Sequence, residues 1–331
     1  MEYSFVLGGG GAKSFPQLGA MDKLLKEGIT PTYLSGTSMG AVNAVLFAAG
    51  MTIDELYEFY ATHKALDFMT LGFSTNGILV NDRLGNLVAD YCKSKGYENL
   101  EDLPIKTCVA VTDSKTGQAV FLNKGNIKQI IMATTATFLT KHTNITDEAI
   151  KKQVCEQTGR EYVEGMKIKL KDGCYSANVP FDGLDYIRDP ENKANYCDLC
   201  FDVVPTYKAT PLIPLNIFNK KVYNNDRERI NKFIQNYNGV YMEFECGLEQ
   251  VNFNKKYLDK GFNYGVEELD NKYLKQIHEY IELVESDAVI NIDEYAPVSL
   301  EEKEITNYTN IQNMDSLIYN TEQIEEQELL N

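Results

Sequence analysis

The sequence predicts an α/β fold: a three-layer α/β/α sandwich around a mixed, mostly parallel sheet. Three observations carry that expectation. Within the first fifty residues a β-prone run passes twice through a glycine-rich turn into a helix-type pattern, and two β-loop-α units in succession specify parallel strands covered by helices. Strand-type and helix-type segments then keep alternating as far as residue 284, without an internal repeat. Finally, 331 residues, 44% of them hydrophobic, suffice to fill one large α/β core or two modest domains.

The elements follow in order. Tyr3–Leu7 is a strand that runs into Gly8-Gly9-Gly10-Gly11-Ala12-Lys13. A helix follows from Ser14 to Glu27, with Ser14 as its cap, Pro16 in the first turn and Gly28 as its stop. Phe15, Leu18, Met21, Leu24 and Leu25 form its apolar face. The short β-prone run Thr32–Ser35 leads through Gly36-Thr37-Ser38-Met39-Gly40 into a small-residue helix, Ala41–Ala49, closed by Gly50. Thr52–His63 reads as a capped amphipathic helix. Leu66–Val80 is apolar and broken by Gly72 and Gly77; packing under a loop is the simpler reading, a lid over a cleft the alternative. Asp82–Lys95 is a further helix. Ile105–Val111 and Gln118–Leu122 are strands joined by the turn Asp113–Gly117, and Ile127–Thr137 returns to helix. A polar stretch, Lys141–Glu164, interrupts before the alternating run Lys167–Gly173. Asn195–Val204 reads as a strand, and helix patterns resume at Asp226–Tyr237 and Asp270–Val284. The expected organisation is one domain over 1–297 and an acidic tail or late-packed helix over 298–331. From Glu301 onward, Glu301, Glu302, Glu304, Asp315, Glu322, Glu325, Glu326 and Glu328 face a single basic residue, Lys303.

Composition excludes several classes. A net charge of −16 argues against nucleic acid, which is bound by Lys and Arg neutralising phosphates, and against strong constitutive docking on anionic membranes. No apolar run approaches the ~20 residues that span a bilayer. The first residues run straight into Tyr3–Leu7 without a basic n-region or cleavage site, so no secretory leader is expected. The seven cysteines have no regular spacing, which suits reduced thiols. The expected location is therefore cytoplasmic, with transient contact at a membrane surface.

The chemistry centres on Ser38. A glycine two residues before it and two after lets the chain turn sharply from strand to helix, holding the serine in a strained, exposed conformation at a helix N-terminus. There Oγ meets a substrate and the helix end favours negative charge developing beside it. A nucleophilic serine also requires an oxyanion hole and a base. Gly9, Gly10 and Gly11, lacking Cβ atoms, allow backbone N–H groups to converge on one anion, and the Met39 amide adds a donor. A nucleotide-binding P-loop fails at the same glycine run, because Leu7 and Ala12 stand where it needs glycine; a dinucleotide fingerprint fails at Ser14.

The base is less evident from residues alone. His63, His142 and His278 are the only histidines. An α/β-hydrolase order leaves His278, which lies in an ordinary amphipathic helix, and that fold also builds more strands before its nucleophile than 37 residues hold. Asp172, at the end of a strand-like run and before Gly173-Cys174, is a better partner, although a turn-forming aspartate would look the same. Cys197 and Cys200 have metal-type spacing without a second pair, so no metal and no cofactor is expected.

Taken together, these segments resemble the patatin-like phospholipase family. Gly9-Gly10-Gly11-Ala12-Lys13-Ser14 resembles its oxyanion motif, Gly36-Thr37-Ser38-Met39-Gly40 its nucleophile elbow, and Asp172-Gly173-Cys174 its aspartate motif, continued by Asn178 and Pro180. Leu103-Pro104-Ile105 and Val111-Thr112-Asp113 with Gly117 are also family-like. The resemblance is dense over 3–50, recognisable over 77–137, returns at 167–204 and fades beyond 205. It implies a Ser38–Asp172 dyad that needs no histidine, and hydrolysis of acyl esters of glycerolipids through an acyl-enzyme. A soluble carboxylesterase, thioesterase or acyltransferase with the same dyad stays open, as does a catalytically silent, partner-binding relative. Departures from the pattern are Lys13 for the commoner Arg, Ser14 for glycine, Cys174 for Gly or Ala, and Ala133–Thr140, which alters the wall beside the site.

Overall fold

A computed structural model describes residues 1–63, 65–68, 70–71, 79–137, 140–191, 195–207, 213–249 and 252–286 of the chain. The acidic segment 298–331, and most of the apolar stretch Leu66–Val80, lie outside the described residues. Within that stretch Phe68 is buried, with its ring 6.0 Å from Phe59 and 5.4 Å from Phe253.

Strand β1 (Glu2–Leu7) leads through the glycine run and a short 3₁₀ turn (Gly11–Ser14) into α1 (Phe15–Lys26). Next come β2 (Pro31–Thr37), α2 (Met39–Ala48), α3 (Ile53–Thr62), the single turn α4 (Ala65–Phe68) and the ribbon β3 (Thr70–Leu71) and β4 (Leu79–Val80). Helix α5 (Asp82–Ser94) precedes the hairpin β5 (Lys106–Asp113) and β6 (Ala119–Leu122), followed by α6 (Ile127–Thr134). Then follow β7 (Thr143–Ile145), α7 (Glu148–Thr158), β8 (Ile168–Asp172) and β9 (Tyr196–Asp202). The chain continues through α8 (Ile213–Asn236), β10 (Gly239–Glu243), α9 (Lys255–Glu268) and, after one π-turn over Leu269–Tyr273, α10 (Leu274–Glu285).

The expected architecture is present: an eight-stranded sheet with helices on both faces. Five strands run parallel in the order β10-β9-β1-β2-β5, and β6, β8 and β7 join antiparallel at the β5 side. Side chains alternate across the sheet, as strand geometry requires. Phe5, Leu7, Leu34, Val109, Val111, Leu199 and Phe201 enter the larger core beneath α1, α2 and α9. Val6, Tyr33, Cys108, Ala110 and Cys200 enter a smaller one, closed by Phe181, Ile230 and Phe233.

One arrangement in the sheet matters most for the site. Thr37, the last residue of β2, pairs with Ala110 of β5, and Asp172, the last residue of β8, pairs with Val111. Strand β6 occupies the other edge of β5 over this same region, Val109–Thr112. Strands β2 and β8 therefore share one edge of β5 and meet end to end there.

The elements differ from three of the expectations. Helix α1 begins at Phe15, and Ser14 does not cap it: its hydroxyl is buried without a partner, because a preceding 3₁₀ turn leaves Ser14 in helical φ/ψ. The polar stretch Lys141–Glu164 is not merely an interruption, since it contains β7 and α7. Gln157 of α7 accepts from Phe121 N–H at 2.8 Å and donates to its carbonyl at 2.8 Å, so one carboxamide closes the open edge of β6. The helix expected at Asp226–Tyr237 is the second half of the longer α8. Thr52, by contrast, heads α3 in a capping box with Glu55, as its position and the acidic first turn lead one to expect.

Candidate active site

Ser38 stands between β2 and α2 at φ 52° and ψ −125°, and among the described residues it is the only non-glycine with positive φ. Holding a serine there is unfavourable by about 1–3 kcal/mol unless its surroundings over-determine it. They do. The Ser38 N–H donates to Thr134 Oγ1 at 2.9 Å, and that hydroxyl donates on to the Ala110 carbonyl at 2.7 Å. The elbow glycines are required by contact rather than by backbone angle. A Cβ on Gly36 would stand 2.5 Å from Ala41 Cα, and one on Gly40 would stand 2.2 Å from the Leu7 carbonyl oxygen. Helix α2 thus begins in direct contact with the end of β1.

Ser38 Oγ donates to Asp172 Oδ2 at 2.8 Å. Asp172 has no solvent exposure. Its Oδ1 accepts from Cys174 N–H at 2.9 Å, its N–H donates to the Ala136 carbonyl at 2.9 Å, and its carbonyl accepts from Thr112 Oγ1 at 2.8 Å. Burial dominates its ionisation and pushes its pKa up to about 6, against smaller downward effects of the Cys174 and Ser38 hydrogen bonds. Gly173 lies against β5, where a Cβ would meet the Ala110 carbonyl oxygen at 2.4 Å. Cys174 is buried, and desolvation holds its thiol well above the usual range.

The glycine loop closes the site from the β1 side. Gly9 departs from the expectation of an oxyanion donor, because its N–H already donates to the Asn178 carbonyl at 3.1 Å. Its lack of a side chain is what the site uses. A Cβ there would lie 2.9 Å from Asn178 Oδ1 and 3.0 Å from Ser38 Cβ. The N–H groups of Gly10, Gly11 and Met39 take no acceptor among the described residues. Gly11, at φ 58°, occupies the left-handed region that favours glycine. Lys13 is partly buried within the 3₁₀ turn.

A buried polar chain behind the loop was not evident from the sequence. Gln17 Nε2 donates to the Gly8 carbonyl at 2.7 Å, Asn43 Nδ2 to Gln17 Oε1 at 3.0 Å, and Tyr60 OH to Asn43 Oδ1 at 2.7 Å. On the opposite side the segment after Asp172 ties the elements together. Thr37 Oγ1 donates to the Ala177 carbonyl at 2.8 Å and Ser35 Oγ to the Pro180 carbonyl at 2.7 Å. Thr134, Gln17 and Asn43 are ordinary residue types within helices. Only their burial marks them, and sequence pattern does not report burial of single polar positions.

The remaining candidates lie elsewhere. His278 is on α10, 3.8 Å from Glu27, and His63 Nδ1 contacts the Phe59 carbonyl at the end of α3. His142 precedes β7, and burial lowers its pKa. Cys197 and Cys200 sit three apart on β9 and enter opposite cores, so they do not converge on one ion. No helix among the described residues is long and apolar enough to cross a membrane.

The model of the patatin-like phospholipase family matches residues 5–185, more than half of the chain and all of the segments around Ser38 and Asp172. The chain belongs to the patatin-like phospholipase family. It is 30% identical over 139 residues to proteins named as uncharacterised NTE family members of Mycobacterium bovis and Mycobacterium tuberculosis. That match covers 40% of this chain and 37% of the relatives' length. Among solved structures it is similar to VipD from Legionella pneumophila, with TM-score 0.46 and 12% identity, covering 81% of this chain and 67% of that one. It is also similar to ExoU in its complex with SpcU from Pseudomonas aeruginosa, with TM-score 0.32 and 13% identity, covering 86% of this chain and 60% of that one. The family match stops at Asp185, so β9, β10 and helices α8–α10 of this patatin-like protein lie beyond it.

Proposed function

We propose that this patatin-like protein hydrolyses acyl esters of glycerolipids, as a phospholipase A or lysophospholipase, through Ser38 and Asp172. The observation that carries the reading is the 2.8 Å hydrogen bond from the strained Ser38 hydroxyl to the buried Asp172 carboxylate. Family membership supports the class of substrate, and lipid is the leading member of that class.

In the proposed reaction Ser38 Oγ attacks the ester carbonyl carbon as its proton passes to Asp172 Oδ2. The oxyanion that forms is stabilised by the open N–H groups of Gly10, Gly11 and Met39. Collapse breaks the carbon–oxygen bond to the glycerol, and that oxygen leaves with the proton held by Asp172. Water then attacks the acyl-enzyme and gives its proton to Asp172. The second collapse releases the fatty acid and returns the proton to Ser38. An ordinary aspartate is a weak base for this task; one raised to about 6 is stronger and is still ionised at neutral pH.

A fluorophosphonate probe tests the nucleophile. The native protein is expected to label, and Ser38→Ala is expected to lose the label while staying folded. Folded native protein that fails to label contradicts the enzyme reading. Turnover of micellar phospholipid against soluble p-nitrophenyl and thioesters then decides the substrate: preference for the soluble esters overturns the lipid assignment while leaving the chemistry.

A further inference from the structure

Helix α8 lies beyond the family match, yet three of its side chains grip the segment that follows Asp172. Asn225 Nδ2 donates to the Tyr175 carbonyl at 2.7 Å, Asp226 Oδ2 accepts from Asn178 Nδ2 at 3.0 Å, and Arg229 Nη1 donates to the Val179 carbonyl at 2.9 Å. Asn178 is the residue whose carbonyl holds Gly9, and its own Oδ1 borders the space between Gly9 and Ser38. We propose that Asp226 is a positioning residue for the oxyanion loop, acting through the Asn178 carboxamide to fix the peptide that anchors Gly9. The inference rests on the hydrolase reading above.

Stability alone does not account for an aspartate at this position. Asp226 is buried, its Oδ1 has no partner among the described residues, and Asn178 Nδ2 is the one hydrogen-bond donor to its carboxyl group among them. A buried carboxyl group satisfied on one oxygen costs more than an amide or an apolar side chain of similar size. Its surroundings are mixed in charge: Asp202 of β9 opposes its ionisation, while Arg227 and Arg229 of α8 favour it. The titratable Cys174 and Tyr241 face it from the turn after β8 and from β10, and burial and the Asp202 charge push its pKa up to about 8. Asn178 in turn is wholly buried, so a shift of its side chain moves the peptide that holds Gly9 rather than swinging into solvent.

The test is a cycle of Asp226→Ala, Asp226→Asn, Asn178→Ala and the double variant Asp226→Ala/Asn178→Ala. It is read as kcat and KM on a p-nitrophenyl ester, with near-UV circular dichroism to confirm folding. Asp226→Ala is expected to lower kcat by about tenfold to a hundredfold, as a loop displaced by an ångström does, and to leave KM within about twofold. Asp226→Asn keeps an acceptor for the Asn178 amide and is expected to restore kcat to within about threefold of the native protein. Placed on Asn178→Ala, the Asp226→Ala change is expected to have no further effect, because the two act in series. Should Asp226→Ala fail to fold, Asp226→Ser takes its place in the cycle. Unchanged kcat in the folded variant, no rescue by Asn, or additive losses in the double variant each overturn the proposal while leaving the hydrolase reading intact. Native protein that neither labels at Ser38 nor turns over ester overturns both.

Discussion

Thr37 and Asp172 pair with adjacent residues on one edge of β5, Ala110 and Val111. Strand β2 runs parallel to β5 and β8 runs antiparallel to it, so their C-terminal ends arrive head to head. The residue after Thr37 and the side chain of Asp172 are thereby brought together although they stand 134 positions apart in the chain. The antiparallel part of the sheet is thus what delivers the carboxylate.

The ionisation of Asp172 sets the pH dependence of the proposed reaction. The base must be unprotonated, and burial raises its pKa to about 6, so kcat/KM on a soluble ester is expected to rise through an acid limb centred near that value. An acid limb near ~4, the ordinary aspartate range, would remove the desolvated base.

The same shift has a consequence for stability, with the opposite sign from a salt-bridged aspartate. An acid with a folded pKa above its unfolded one contributes stability below the unfolded value, and that contribution is lost as pH rises through about 6. At pH 8 Asp172→Asn is therefore expected to be the more stable protein, by on the order of 2–3 kcal/mol, and below pH 4 the two converge. Denaturant titration at both pH values measures this.

Thr134 holds the elbow through a hydroxyl that accepts from Ser38 N–H and donates to the Ala110 carbonyl. Thr134→Val keeps the shape and strands both partners, with an expected loss of about 1–3 kcal/mol in stability. Turnover is expected to fall about tenfold as the serine shifts. Thr134→Ser retains the hydroxyl and is expected to restore both, so equal losses in the two variants would point to packing of the methyl group instead.

The two kinds of glycine at the site separate in their effects. Gly40→Ala drives a Cβ into the Leu7 backbone, with an expected loss of about 3 kcal/mol or more and little folded protein. Gly9→Ala meets the end of the Asn178 side chain and Ser38 Cβ, so the fold is expected to survive while turnover drops about a hundredfold. Thermal melts beside activity assays distinguish them.

Much of this site was legible in the residues. The strand–glycine–helix pattern recurs twice because each unit needs a tight turn against a helix end, and that requirement is local. The order of the strands was not legible in the same way. Asp172 looks like any aspartate before a glycine until β8 is placed beside β2 on β5. Lys141–Glu164 reads as polar because β7 lies at a sheet edge and α7 exposes one face, yet both are built elements. The Gly9 amide reads as an open donor until Asn178, far along the chain, is seen to take it. Ser14 reads as a cap because capping residues are identified by type, whereas its backbone is already helical. Each miss concerns a long-range partner or a backbone angle, which residue pattern does not encode.

The proposed reaction rests on one step, in which Asp172 takes the proton from Ser38. The measurement that meets it most directly is kcat for Asp172→Asn at pH 8 on an ester that the native protein turns over, with folding confirmed by near-UV circular dichroism. Loss of about 100-fold to 10,000-fold is expected for removal of a general base in direct contact with the nucleophile. Full activity in the folded variant would contradict it and leave Ser38 to be activated by some other group.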